Sequence, residues 1–148
     1  MQSQSKRLVP AWWLTAVAAL VVCIAAGSSM AVRAQGKTSK DGVYSAEQSK
    51  RGEVLYAAKC AVCHGKAMEG GGGPSLAGAE FLDFWDKMPV SEIFTKIFQG
   101  MPADAPQSLT RDQSADLVAY ILQMNKNPAG QAALPTDDAA LKAIAVAK

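Results

Sequence analysis

Two cysteines and a histidine stand together in this chain at a spacing that can carry chemistry, in the segment Cys60-Ala61-Val62-Cys63-His64. Two intervening residues let both sulfurs reach one edge of a porphyrin, where each thiol can add across a vinyl group. The adjacent histidine then lies beneath the iron and can supply an imidazole nitrogen. The spacing is typical of covalent haem attachment, and it predicts one covalently bound haem with its iron.

Other sites use a similar pair of cysteines. A thioredoxin-type redox pair normally lies at a helix start beside a strand, in a βαβ pattern that this sequence lacks. A structural zinc site needs four protein ligands, whereas the chain after residue 34 offers only Cys60, Cys63 and His64 of the usual nitrogen and sulfur donors. In an oxidising compartment the pair could form a disulfide, but the adjacent histidine favours haem attachment.

An electron-carrying haem iron also needs a ligand on its second face, and methionine is the candidate because His64 is the only histidine. A histidine and methionine pair raises the reduction potential. Met68 follows His64 too closely to reach the opposite face, and Met124 falls on the apolar face of a predicted helix. Met101 is favoured over Met88, because it lies on an extended, proline-stiffened segment between two helices. Met88 stays as the alternative.

Three helices are predicted to position these residues, over residues 46–59, 90–99 and 111–124. Ser45 and Thr110 are predicted N-caps, each with a glutamine three residues later that completes a capping box. Gly52 shares a helical face with two apolar residues, which indicates a close crossing with another helix. Isolated helices below about 12–15 residues are marginal in water. The predicted fold is therefore all-α, with three to five short helices wrapped around one haem.

The N-terminal segment has the pattern of a secretory signal peptide. Lys6 and Arg7 precede an apolar run from Ala11 to Ala26, and small residues lead to Ala34. We predict cleavage after Ala34 and a periplasmic location. The alternative is an uncleaved membrane anchor facing the periplasm, since a spanning helix needs about 20 mostly apolar residues.

The rest of the chain divides into a flexible leader (35–44), a domain (45–130) and a tail (131–148) that could form a helix near residues 139–147. Three of the 15 basic residues lie in the first 34 positions, so 12 basic and all 13 acidic residues follow, and the formal net charge there is −1. This near-neutral balance argues against a nucleic-acid partner.

The sequence resembles class I cytochrome c over nearly all of the chain after residue 34. The resemblance is carried by four segments: Arg51–Gly65, Gly73–Gly78, Met101-Pro102 and Leu117–Leu122. The four glycines at 70–73 depart from the family's usual loop, which leaves the length and mobility of that loop open. The segments Met101–Thr110 and Asn127–Gly130 are also similar to the cytochromes c associated with quinoprotein alcohol dehydrogenases.

The resemblance implies roles at matching positions. The implied haem-binding residues are Cys60, Cys63, His64, Pro74, Leu76, Trp85 and Met101, with His64 and Met101 as ligands of the iron. Pro74 would accept a hydrogen bond from the free N–H of His64, which fixes the tautomer of the ring. Leu76 would pack on the porphyrin. Trp85 would donate its indole N–H to a haem propionate, or it is an ordinary core residue.

The implied function is single-electron transfer by an outer-sphere mechanism, without enzymatic activity. The expected partners are redox proteins, such as a quinoprotein dehydrogenase and an oxidase or another cytochrome, docking on the haem edge near Ala61, Val62 and Pro102. One alternative is a haem-bearing subunit of a dehydrogenase complex. Another is a haem enzyme or sensor whose iron keeps an open sixth position.

Overall fold

The computed structural model of the protein describes residues 36–148, so the predicted signal peptide, anchor and cleavage site lie outside the described residues. The described helices are α1 (Ala46–Lys59), α2 (Ala61–His64), α3 (Ala79–Trp85), α4 (Val90–Gly100), α5 (Arg111–Met124) and α6 (Asp138–Lys142). Two short strands, β1 (Lys37–Thr38) and β2 (Ile144–Ala145), pair in parallel. Over the described residues the fold is all-α apart from this pair and a short 3-10 helix at Ser39–Asp41. Within residues 36–148, none of the helices has the length and hydropathy that crossing a bilayer requires.

Hydroxyl caps begin both long helices, as the sequence predicts. The Thr110 hydroxyl accepts from the Gln113 N–H at 3.1 Å, and the Gln113 side chain accepts from the Thr110 N–H at 2.9 Å, which completes a capping box. The Ser45 hydroxyl accepts from the Gln48 N–H at 3.2 Å. The Gln48 side chain does not return to the cap, however. Its amide instead pairs with the backbone of Leu134, donating at 3.1 Å and accepting at 2.6 Å.

Helices α1 and α5 cross at Gly52. A Cβ added there would lie 1.9 Å from the carbonyl oxygen of Asp116 and 2.9 Å from Cβ of Tyr120. The two backbones therefore approach as closely as the predicted packing glycine requires. The Arg51 guanidinium makes two hydrogen bonds of 2.9 and 2.7 Å with the Asp116 carboxylate beside the crossing. The Tyr56 and Tyr120 rings pack at a centroid distance of 5.6 Å.

The structure departs from the mobile leader that the sequence predicts over residues 35–44. Strand β1 pairs with β2 in the tail, and the Ser39 hydroxyl accepts from the Ala147 N–H at 3.0 Å. Tyr44 is only 1% exposed, and its hydroxyl donates to the Asn127 carbonyl oxygen at 2.6 Å. The leader and tail thus pack together on the domain, because each supplies the hydrogen bonds and apolar contacts that the other lacks alone.

The tail forms a shorter helix than its composition suggested. Helix α6 ends at Lys142, and the chain then extends into β2. Leu141 and Val146 are almost fully buried. The backbone of Val146 is bonded to Lys87 and Met88, with both N–H to oxygen distances at 2.8 Å. These partners, more than 50 residues away along the chain, favour the extended form over a continued helix.

The α1–α5 crossing makes a direct prediction about stability. We expect Gly52→Ala to lower the free energy of unfolding by about 1–3 kcal/mol, because the added methyl group overpacks against the backbone of α5. The matched control is Gly100→Ala, since a Cβ at Gly100 meets nothing within 4 Å. Alanine is favoured over glycine in a helix by roughly 0.5–1 kcal/mol, so the control should unfold at an equal or higher midpoint. Chemical denaturation followed by circular dichroism makes the comparison, and equal effects would contradict the crossing.

Candidate haem-binding site

A cavity of about 440 Å³ lies beside the Cys60-x-x-Cys63-His64 segment. Its walls come from the end of α2, the segment after it, and helices α3, α4 and α5. The lining residues are His64, Pro74, Ser75, Leu76, Glu80, Phe81, Phe84, Trp85, Ile93, Lys96, Ile97, Met101 and Ile121. Most of these side chains are aliphatic or aromatic, as expected of a site that binds a large apolar group.

Helix α2 brings the three residues of the motif together. The Cys63 and His64 N–H groups both donate to the Cys60 carbonyl oxygen, at 3.1 and 2.9 Å. In a helical turn, side chains three and four positions apart are neighbours, so Cys63 and His64 lie near Cys60. Of the three, only His64 is among the residues that line the cavity. Cys60 is half-buried and Cys63 is exposed. Burial raises the pKa of the Cys60 thiol.

The His64 ring is held from outside the motif. Its Nδ1 lies 2.8 Å from the Pro74 carbonyl oxygen. A carbonyl oxygen can only accept, so Nδ1 carries the hydrogen, and in the neutral ring Nε2 has the lone pair. The ring is 9% exposed and lines the cavity. The histidine is therefore in the tautomer that suits metal binding through Nε2.

Gly73 gives the His64 ring its room. A Cβ at this position would lie 2.7 Å from Cε1 and 2.9 Å from Nδ1 of the ring. The Gly73 N–H also donates to the Cys63 carbonyl oxygen at 2.8 Å. The glycine run thus includes one position at which any side chain would collide with the imidazole. Its sequence signal was only the run itself, which gives no reason to prefer one glycine over its neighbours.

The loop after His64 lacks helix and strand but is internally bonded. The Gly70 N–H donates to the His64 carbonyl oxygen at 2.8 Å, and the Leu76 N–H donates to the Met68 carbonyl oxygen at 2.9 Å. The Met68 side chain is fully buried beneath this loop. Met68 is thus a core residue, and it is not among the residues that line the cavity.

Two further residues anchor the site and were missed by the sequence analysis in this role. The Tyr56 hydroxyl donates to the Gly65 carbonyl oxygen at 2.6 Å, and burial raises its pKa to about 12. The Asn125 side chain donates to the Leu76 carbonyl oxygen at 2.9 Å and accepts from the Gly78 N–H at 3.0 Å. Together they tie both ends of the loop to α1 and α5. Neither pairing follows a local spacing that the sequence could reveal.

Three other residues that the sequence analysis selected line the cavity, whereas Met88, the alternative iron ligand, does not. Leu76, Trp85 and Met101 all line the cavity. Trp85 is 9% exposed and packs edge-on against Phe84, at a centroid distance of 5.1 Å. Met88 lies outside the lining and is 38% exposed.

The family model described as cytochrome c oxidase, cbb3-type, subunit III matches residues 47–121, half of the chain. The chain belongs to this cytochrome c family. Members of the family carry haem c, so this cytochrome c is a haem-bearing electron-transfer protein with one covalently bound haem c and its iron. The cavity fits the haem, because its walls are apolar and His64, which can bind iron through Nε2, lines it. Gly73 leaves space for the imidazole of that histidine.

Two curated relatives support the assignment. The chain is 27% identical over 86% of its length to the cytochrome bc1 complex cytochrome c subunit of Corynebacterium diphtheriae. It is 40% identical over 47% of its length to cytochrome c-550 of Bacillus subtilis. The chain spans about half the length of these relatives, 49% and 56% respectively. The solved sulfane dehydrogenase SoxCD of Paracoccus pantotrophus matches at 23% identity with a TM-score of 0.44, over 60% of this chain and 53% of that one.

The contact between Gly73 and the imidazole can be tested with a matched pair of variants. We expect Gly73→Ala to lower the free energy of unfolding of the holoprotein by about 1–3 kcal/mol, because the methyl group must displace the ring or strain the loop. Gly72→Ala is the control, since a Cβ there would make only ordinary contacts of 3.8–4.0 Å with Cys63. Its effect should stay within about 0.5 kcal/mol. Urea unfolding of both holoproteins measures the difference, and a Gly73 variant as stable as the Gly72 variant would contradict the contact.

Proposed function

We propose that this cytochrome c carries single electrons by outer-sphere transfer, with its haem attached to Cys60 and Cys63 and its iron bound by His64 and Met101. One observation supports the proposal above the others. An imidazole with a free Nε2 and the thioether-bearing residue Met101 line the same apolar cavity.

Met101 is the better supported of the two candidate methionines. It follows Ile93 and Ile97 at intervals of four residues, and all three line the cavity. Its N–H donates to the Ile97 carbonyl oxygen at 3.0 Å, which continues the hydrogen bonding of α4 by one residue. Met88 precedes α4, and its carbonyl oxygen accepts from the Val146 N–H at 2.8 Å. The cavity-facing side of α4, formed by Ile93 and Ile97, therefore continues to Met101. The backbone of Met88 is instead bonded to the tail.

The haem supplies reversible one-electron chemistry at its iron. The chain's own residues keep the geometry constant while charge changes. Pro74 orients His64, Ile97 fixes the backbone of Met101, and apolar side chains exclude water from the cavity. Because both ligands are held by protein contacts, we expect neither to leave, and a substrate has no position at the iron. This argument supports an electron carrier over an enzyme.

Two side chains of the lining suit the charged edge of the haem. Trp85 is the proposed donor to a propionate, through its indole N–H. Lys96, which the sequence analysis did not select, also lines the cavity and is exposed, so its ammonium group can lie near a carboxylate at the mouth. Leu76 is the proposed packing residue on the ring face.

We propose that redox partners dock at the exposed haem edge. Val62 of the attachment motif is 89% exposed, and with Ala61 and Pro102 it forms the proposed docking surface. Redox encounters usually bury less than about 1,200 Å². The proposed partners are a periplasmic dehydrogenase of the quinoprotein type and, as acceptor, an oxidase or another cytochrome. Residues 1–34 are the proposed export signal, with a membrane anchor as the alternative.

A permanent place in a larger assembly is the second candidate. The relative from Corynebacterium diphtheriae is by its name a subunit of a bc1 complex, and the match covers 86% of this chain. Purification of the native protein separates the two candidates. A soluble carrier leaves its partners under mild extraction, whereas a subunit elutes with them in constant proportion.

The attachment chemistry makes a prediction at both cysteines. We expect Cys60→Ala and Cys63→Ala each to reduce the yield of holoprotein severely, and the double variant to lose covalent haem, because these are the only two thiols after residue 34. Denaturing electrophoresis with a haem stain is the measurement. The exposed residue between them provides the control, and Val62→Ala should stain fully. Full staining of the double variant would show that the haem is attached covalently at other residues.

The ligand assignment makes a prediction at the two methionines. A thioether bonded to ferric iron gives a weak absorption band near the red end of the spectrum. We expect Met101→Ala to lose this band, to bind carbon monoxide in the ferrous state, and to have a lower reduction potential. The potential falls because a soft donor that favours Fe(II) is replaced by water, a harder ligand.

Met88→Ala is the matched control and should keep the band, the potential and the resistance to carbon monoxide. The assignment is wrong if the Met88 variant loses the band while the Met101 variant keeps it. A wild-type protein that binds carbon monoxide at once would instead favour a sensor or enzyme with an open sixth position.

A further inference from the structure

Arg111 joins the two ends of the segment that carries Met101. It is the first residue of α5 and follows directly after residues 101–110. Its guanidinium carbon lies 4.8 Å from the ring centroid of Phe94 and 5.2 Å from that of Phe98. Both rings belong to α4, which leads into Met101, and they stack on each other at 5.9 Å. One side chain therefore spans from the end of the Met101 segment back to the helix before it.

The edge of the same guanidinium is bonded to the tail. Its Nε and Nη2 donate to the Thr136 carbonyl oxygen at 2.9 and 2.5 Å, and Nη2 also pairs with the Asp138 carboxylate. A planar guanidinium can stack through its face while it donates through its edge, which an ammonium group cannot do. Arg111 thus links α4, α5 and the tail.

The stacking contact affects the rotation of α4 about its own axis, and so which of its residues face the cavity. Ile93 and Ile97 line the cavity, whereas Phe94 and Phe98 are the next residues along the helix. Consecutive helical residues differ by about 100° around the axis. Fixing the aromatic pair under Arg111 therefore fixes the rotation that turns the isoleucines, and Met101 after them, to the cavity.

The Met101 segment has few internal contacts of its own. Residues 103–108 are exposed. The backbone hydrogen bonds described within the segment join Ala105 to Pro102 at 3.0 Å and Ser108 to Ala105 at 3.3 Å. Its position must then depend on how its two ends are held.

We infer that Arg111 is a positioning residue for Met101, which keeps the thioether on the iron without touching the haem. The inference rests on the proposed function, in which Met101 is the sixth ligand. Loosening the contact of Arg111 should raise the fraction of molecules whose sixth position is open. An added ligand binds only that fraction, so its apparent affinity rises in proportion.

The experiment is a titration of the ferric holoprotein with imidazole, followed by the shift of the main haem absorption band, which every variant has; in proteins that keep Met101, the weak red band is lost in parallel. Arg111→Lys keeps the positive charge but removes the planar guanidinium, which stacks on the two rings and donates hydrogen bonds from its edge. We expect it to bind imidazole about tenfold more tightly than the wild type, which corresponds to about 1.4 kcal/mol. Phe98→Leu, which removes one of the two rings under the guanidinium, should shift the affinity in the same direction.

Arg51→Lys is the matched control. Arg51 also makes a two-bond pair with a carboxylate, that of Asp116, but at the α1–α5 crossing. Both lysine variants should unfold at lower urea concentrations than the wild type. Only the Arg111 variant should bind imidazole more tightly, because only its contacts hold the ends of the Met101 segment.

A Met101→Ala background separates the inference from the proposed function. Met101→Ala alone should bind imidazole more tightly than the wild type, and adding Arg111→Lys should change nothing, since no thioether remains to be displaced. If Met101→Ala does not raise the affinity, Met101 is not the ligand and the proposed function is wrong. If it does, but Arg111→Lys matches Arg51→Lys or acts equally in both backgrounds, the positioning role of Arg111 is overturned.

Discussion

The hydrogen bond between Nδ1 of His64 and the carbonyl oxygen of Pro74, at 2.8 Å, constrains most of the site. Ten residues separate the two partners, so the chain must reverse after α2 and return along the imidazole. Gly73 permits the return because it has no side chain where the ring lies. Met68 fills the space beneath the loop, and Asn125 fastens the far end of the loop to α5. A histidine with a fixed tautomer is therefore the product of the whole loop rather than of the motif.

The crossing of α1 and α5 fixes the two places at which that loop is bonded to the helices. Helix α1 leads to Cys60, and its Tyr56 hydroxyl bonds the Gly65 carbonyl oxygen on the other side of the motif. Helix α5 contributes Ile121 to the cavity, and Asn125, directly after the helix, bonds the loop. The close approach at Gly52 fixes these two sets of contacts relative to each other. A change at the crossing should then reach the haem site through rigid helices, without altering any residue that lines the cavity.

The sequence predicted what local chemistry determines. Helices α1 and α5 have the predicted bounds, and α4 ends one residue later than predicted, because side-chain periodicity and hydroxyl caps act within one helix. Pairings between distant residues were not predictable in this way. The Gln48 amide reads as half of a capping box, yet it bonds Leu134, 86 residues away. The sequence places Arg111 only at the start of a predicted helix, and its stacking on Phe94 depends on a turn of the chain that no spacing encodes.

The tail that the sequence set apart from the domain bears on the choice between the two methionines. Val146, directly after β2, bonds two adjacent backbone positions in the turn before α4, Lys87 and Met88. That turn is thereby held against β2, while the Met88 side chain remains 38% exposed. A shift of the Met88 backbone toward the cavity would break those contacts. Met101 needs no such rearrangement, because α4 already delivers it to the lining. The packing of the tail thus favours Met101 over Met88 as the proposed ligand.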